Sequence, residues 1–154
     1  MSYEGGGLHH VYLGLGSNLG DREKTLHRAV RLIGERVGEV LRQSSIMESE
    51  PWGFESANLF LNAVILCATS LSPRDVLAAT QQIERELGKT ARHATRRNPS
   101  PSLKPGASFF HDRPIDIDIL LYDDLTVDEP DLKIPHPLMY DRDFVMTPLR
   151  EIFS

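Results

Sequence analysis

The chain predicts an α+β fold in which helices cover an antiparallel sheet. Three observations predict it: strand-like and helix-like stretches follow one another as β-α-β-β-α-β, a helix start carries a full set of capping signals, and a late strand alternates isoleucine with aspartate.

"VYLGLGS" (11–17) reads as a first strand entering a glycine-containing turn. In "DREKTLHRAVRLIGERVG" the residues Leu26, Val30, Ile33 and Val37 recur at helical spacing, with Asp21 as cap or first-turn acid. "EVLRQSSIMESE" (39–50) reads as one strand, followed by a "PWGFESA" loop. "LFLNAVILCAT" (59–69) is a long, apolar, partly β-branched strand. "LSPRDVLAATQQIERELG" then combines Ser72 as cap, Pro73 at the first helical position and Asp75 three residues after the cap. Val76, Leu77, Thr80, Ile83 and Leu87 form its buried stripe, and Gly88 is the expected stop. "RPIDIDILLYDD" (113–124) supplies the fourth long strand, and a shorter, proline-rich tail closes the chain. This order suits the ferredoxin-like arrangement: a four-stranded antiparallel sheet with two crossover helices. Residues 1–154 read as one domain, interrupted by a long loop at 89–112 that is basic up to Asp112 and rich in proline.

Composition narrows the function classes. The formal net charge of −5 argues against nonspecific nucleic-acid binding. One cysteine, Cys67, sits in an apolar run, so no disulfide framework forms within the chain, and a buried, inert thiol in a reducing, cytoplasmic setting is expected. No apolar run is long enough to span a bilayer, and the start lacks the marks of a targeting signal.

The chemistry concentrates around "RPIDIDILLYDD". Side chains alternate along a strand, so Ile115, Ile117 and Ile119 share one face and Asp116 and Asp118 the other. Carboxylates two residues apart lie about 6–7 Å from each other at Cα and repel unless a cation relieves them. Magnesium takes one or two carboxylates together with phosphate oxygens, which fits this pair. The loop 89–112 brings Lys89, Arg92, Arg96, Arg97 and Lys104, while residues 112–131 carry eight Asp/Glu against one Arg. A basic loop beside an acidic strand suits a polyanion held through a metal. "GLGSNLGDR" lacks the spacing of a dinucleotide fingerprint and the Gly-Lys-Ser/Thr of a P-loop, so a tight turn explains it better, with Asn18 as a possible ligand contact. Phe60 and Asn62 share a strand face and could receive a planar heterocycle, although a core role for Phe60 is the plainer reading. Gln81 and Glu84 are neighbours on one helix surface, and His136, Arg142 and Phe144 gather in one irregular segment that suits an anion beside a ring.

Taken together, "YLGLGSNLGDRE", "FLNAV", "TQQIERELG", "RPIDIDILLY", "IPHP" and "RDFVMTPLREI" resemble the 6-hydroxymethyl-7,8-dihydropterin pyrophosphokinases of folate biosynthesis, in the right order and over nearly the whole chain. The resemblance implies diphosphate transfer from ATP to the pterin hydroxymethyl oxygen, with two Mg2+ ions on Asp116 and Asp118. It implies pterin contacts from Ser49, Trp52, Gly53, Phe60, Asn62 and Phe144, and nucleotide contacts from Gln81, Glu84, Arg113, Ile119, His136 and Arg142. Lys89 and Arg92 stand where the family places basic catalytic groups. The substrates are then ATP and 6-hydroxymethyl-7,8-dihydropterin, with no nucleic-acid or membrane partner, and the chain is expected to act as a monomer. The sequence departs from the family in carrying Phe110 where a tryptophan is usual and Pro137 where an aromatic often follows the histidine. A base-stacking nucleic-acid module on the same scaffold is the competing reading, and the acidic balance and the aspartate pair weigh against it.

Overall fold

The computed structural model describes residues 8–50, 59–95 and 114–153, and for 89–95 the backbone alone. The "PWGFESA" loop and the part of the basic loop beyond Thr95 fall outside the described residues. The elements are β1 (His9–Ser17), α1 (Arg22–Arg36), β2 (Glu39–Gln43), β3 (Met47–Ser49), β4 (Phe60–Thr69), α2 (Pro73–Thr95), β5 (Asp116–Tyr122), β6 (Val127–Glu129), β7 (Leu132–Ile134), a 3-10 turn (Met139–Asp141) and α3 (Asp143–Ile152).

The main sheet has the order β2-β4-β1-β5, with β3 also paired to β4, and every pairing is antiparallel. Counting β2 and β3 as one interrupted strand, this is the ferredoxin-like order that the element sequence predicts. The helix starts follow their capping residues. Asp21 accepts from the Lys24 backbone N–H at 3.2 Å, and the Ser72 hydroxyl accepts from the Asp75 N–H at 3.1 Å.

Each face of the sheet has its own core. Val11, Leu13, Leu15, Ile65, Cys67, Ile117 and Ile119 pack beneath Leu26, Ile33, Val76 and Ile83 of α1 and α2. On the opposite face Tyr12, Val64, Leu66 and Leu120 pack against Val145, Leu149 and Ile152 of α3. Cys67 is fully buried in the first core, as expected, and burial pushes its thiol up to about 12, which disfavours the thiolate.

Three expectations are corrected. The strand at 39–50 is broken: Ser44 donates its N–H to the Val64 carbonyl, but its side-chain hydroxyl, not a carbonyl, accepts the Val64 N–H at 2.9 Å. A serine that replaces the backbone acceptor re-aims the chain, and β3 pairs one residue out of step with β2. Helix α2 does not stop at Gly88 but runs to Thr95. Among the described glycines only Gly20 has a positive φ, so Gly88 stays helical. The seven residues after it contain no proline and include Ala91, Arg92 and Ala94, and an interior glycine costs only about 1 kcal/mol. The first turns of the supposed basic loop are therefore helical. Finally, the tail is not irregular: it forms the β6–β7 hairpin and α3, in which Val145, Pro148, Leu149 and Ile152 make a buried stripe at i, i+3, i+4 and i+7.

Candidate active site

Helices α1 and α2 cover the first face along its length, whereas the ten-residue α3 covers only one end of the second. Towards the other end, the second face changes from apolar side chains to Gly14, Gly16, Asn62, Asp116 and Asp118, and a cleft opens there.

Strand register orders its floor. Gly16 pairs with Asn62 on β4 and with Asp116 on β5, while Gly14 pairs with Val64 and Asp118. The two glycines thus lie between the two sides of the cleft. A Cβ built on Gly16 would come within 3.3 Å of Asn62 Oδ1 and 3.5 Å of the Phe60 ring. On Gly14 its three nearest neighbours would all be Leu120 side-chain atoms, from 3.4 Å. Sequence reading took these glycines for a turn. Their spacing of two within a strand was the signal that one face carries no side chains. Glu50, which also lines the cleft, had no such signal.

The amide of Asn62 is oriented by its neighbours. Its Nδ2 donates to the Met47 carbonyl at 3.0 Å and to Ser49 Oγ at 2.8 Å. A carbonyl can only accept, so the nitrogen faces β3, and Oδ1 is left on the Gly16 side as an acceptor. Phe60 lies on the same face of β4, and Phe144, in the first turn of α3, lines the cleft from above.

The acidic side is equally organised. Asp116 and Asp118 face the cleft and Ile117 and Ile119 the helices, as the alternation predicts. Arg142 is 5% exposed, with its guanidinium 5.7 Å from the Phe144 ring centroid. Burial holds it below its ordinary value, opposed by Asp118 and Asp116, and a guanidinium remains a cation at neutral pH all the same. His136 follows the cis Ile134–Pro135 bond, and its N–H is held by the Leu120 carbonyl at 3.0 Å. Burial, and then Arg142, push its imidazole down to about 4, against the pull of Asp116. Its Nδ1 accepts from the Leu138 N–H at 3.3 Å, so the neutral ring carries its proton on Nε2, the atom 3.9 Å from Asp118 Oδ1. That contact joins a neutral ring to a carboxylate and is too long for a hydrogen bond.

Three nucleotide assignments lie away from this floor. Glu84 reaches over the sheet edge and accepts the Ile117 N–H at 2.7 Å, while Gln81, one turn earlier, is exposed on α2. The Ile119 side chain is 4% exposed and belongs to the helix-side core, so it cannot serve as a side-chain contact from the cleft. Its backbone groups alternate in phase with those of Ile117 and point outward from the edge of β5. Trp52, Gly53 and Arg113 lie outside the described residues, as do the side chains of Lys89 and Arg92, whose backbones continue α2. Asn18, next after β1, is 2% exposed.

This pair of carboxylates would leave most of a magnesium coordination sphere to substrate oxygens and water, and two hard oxygen donors on a rigid strand fit that demand.

The 7,8-dihydro-6-hydroxymethylpterin-pyrophosphokinase family model matches residues 12–154. The chain is 48% identical over 143 residues to the 2-amino-4-hydroxy-6-hydroxymethyldihydropteridine pyrophosphokinase of Porphyromonas gingivalis, covering 92% of this chain and 89% of that one. To the Bacillus subtilis enzyme of the same name it is 42% identical, over 92% and 77% of the two chains. A solved HPPK-DHPS structure in complex with substrates matches with a TM-score of 0.69 at 13% identity, over 95% of this chain and 40% of that one. At that identity the structural likeness speaks for the fold alone, and the chain spans 40% of that larger chain. By its matched length and its identity to these relatives, the chain belongs to the 7,8-dihydro-6-hydroxymethylpterin pyrophosphokinase family.

Proposed function

We propose that the pterin occupies the half of the cleft bounded by Asn62, Phe60 and Phe144, and the triphosphate the half bounded by Asp116, Asp118, His136 and Arg142. The enzyme itself transfers diphosphate from ATP to the hydroxymethyl group of 6-hydroxymethyl-7,8-dihydropterin, in folate biosynthesis. In that reaction the hydroxymethyl oxygen forms a bond to the β-phosphorus, the bond from that phosphorus to the α–β bridging oxygen breaks, and AMP leaves. Phosphoryl-type transfer asks a protein for alignment and charge stabilisation more than for covalent chemistry.

The observation that carries the assignment is the shared register row Asn62–Gly16–Asp116. It sets a heterocycle acceptor and a metal-ligating carboxylate on opposite sides of a bare strand. Asn62 Oδ1 would accept from the pterin, and the Phe60 and Phe144 rings would hold its two faces, with Ser49 fixing the amide and Trp52 and Gly53 assigned to the pterin edge. Asp116 and Asp118 would hold two Mg2+ ions. Bound there, magnesium would neutralise charge on the triphosphate oxygens. His136 would offer the proton on Nε2, and Arg142 its cation, to phosphate oxygens. Gln81, Glu84 and the outward backbone of Ile119 would meet the nucleoside along the outer edge of β5. Arg113, with Lys89 and Arg92 in place of the family's loop arginines, would serve the phosphates. Operation as a cytoplasmic monomer belongs to the same proposal, with the lone buried thiol as support for the compartment.

A crystal structure with Mn2+, a nonhydrolysable ATP analogue and the pterin tests the arrangement. Anomalous peaks are expected within bonding distance of both Asp116 and Asp118; peaks that touch neither carboxylate would overturn it.

A further inference from the structure

The two walls of the pterin half are carried by different elements. One is β3, whose Met47 carbonyl and Ser49 hydroxyl fix Asn62. The other is α3, which carries Phe144 in its first turn. At the far end of α3 the walls are tied together. The Ser45 N–H donates to Glu151 Oε1 at 3.0 Å, and the Ser45 hydroxyl lies 3.0 Å from both carboxylate oxygens. Arg42 adds a bond from its guanidinium to the Ile152 carbonyl at 2.8 Å. Both ties land on the segment where Ser44 breaks the long strand and sends the chain into β3.

Glu151 follows Phe144 by seven residues, so the two side chains leave α3 on nearly the same face, about 10 Å apart along its axis. Pro148 stands between them and cannot donate to the Phe144 carbonyl, which leaves the helix ladder one bond short. The direction of the first turn of α3 therefore depends more than usual on how the helix is anchored at its other end. Resting on the pterin-site assignment above, we propose that Glu151 is a positioning residue for the pterin. Through Ser45 it fixes the spacing between the β3 wall, with Asn62, and the α3 wall, with Phe144. Glu151 is exposed at the end of α3 away from Phe144, and Arg142, which precedes the helix as its N-cap, is buried on contacts of its own, so the effect is expected on the pterin ahead of ATP.

Steady-state kinetics of Glu151→Ala, Glu151→Gln and Asn62→Ala test this, with both substrates varied and thermal midpoints measured on the same samples. For Glu151→Ala the KM for the pterin is expected to rise roughly three- to tenfold, the size of losing an exposed charge-assisted hydrogen bond. The KM for ATP and kcat should stay within about twofold. Glu151→Gln, whose amide can accept from the Ser45 N–H, should recover most of the loss. Equal losses for both substrates, accompanied by a lowered midpoint, would reduce Glu151 to a structural clamp and overturn the proposal. An unchanged pterin KM in Glu151→Ala beside a raised one in Asn62→Ala would overturn the clasp alone. An unchanged pterin KM in both variants would overturn the pterin-site assignment together with it.

Discussion

The two faces of the central sheet are built from the same strands and have opposite tasks. Along β5, Ile117 and Ile119 enter the core under α1 and α2, while Asp116 and Asp118, one residue away in each case, face the cleft. Along β1, Leu13 and Leu15 face the helices and Gly14 and Gly16 face the cleft. One face maximises apolar contact; the other gives up contact to expose carboxylates and a bare backbone. Period-two alternation lets one strand do both, because burial on the helix side holds the backbone from which the cleft side chains project. Rigidity in the site is thus supplied from behind it.

That division can be broken one face at a time. The largest effect is expected at Asp116→Asn and Asp118→Asn. Either change should lower turnover by about 10²- to 10³-fold or more, the scale of losing a preorganised electrostatic group, with the unfolding midpoint kept. Ile117→Ala, between them in sequence but on the other face, should show the converse. It is expected to lose about 2–5 kcal/mol of stability in denaturant titration while each folded molecule keeps near-normal turnover. A smaller contrast lies within the cleft face itself. Gly16→Ala forces a methyl group against Asn62 Oδ1 and the Phe60 ring, whereas the methyl of Gly14→Ala has the Leu120 side chain as its nearest neighbour. A pterin KM raised roughly tenfold for Gly16→Ala, and close to normal for Gly14→Ala, would sharpen the picture of Gly16 as the floor of the pterin half. Equal effects would remove that distinction.

How much of this was legible in sequence follows from which interactions are local. The cap of α2, Ser72 with the Asp75 N–H, spans three residues and was readable, as was the Ile/Asp alternation of β5. The break at Ser44 was not, because it depends on a hydroxyl meeting the Val64 N–H on another strand. Gly88 carried a stop signal that its helical backbone does not obey, since no left-handed turn follows it. Helix α3 was masked by Pro148 and by the prolines before it, although Val145, Leu149 and Ile152 kept helical spacing. In the site, the chemistry-bearing side chains were visible one by one. Their assembly into rows across three strands, and the reading of Gly14 and Gly16 as floor instead of turn, needed the register. Ile119 shows the limit from the other side: the motif marks the position, while the fold sends its side chain to the core and leaves only its backbone at the edge.

The central claim is that the cleft face of β5 binds the triphosphate through metal held by its two carboxylates. Titrating the protein calorimetrically with a nonhydrolysable ATP analogue, with and without Mg2+, tests it directly in the wild type and in the double variant Asp116→Asn, Asp118→Asn. The expected result is analogue binding that strengthens with Mg2+ in the wild type and loses that dependence in the double variant, at an unchanged unfolding midpoint. Equal Mg2+-dependent strengthening in both proteins would contradict it.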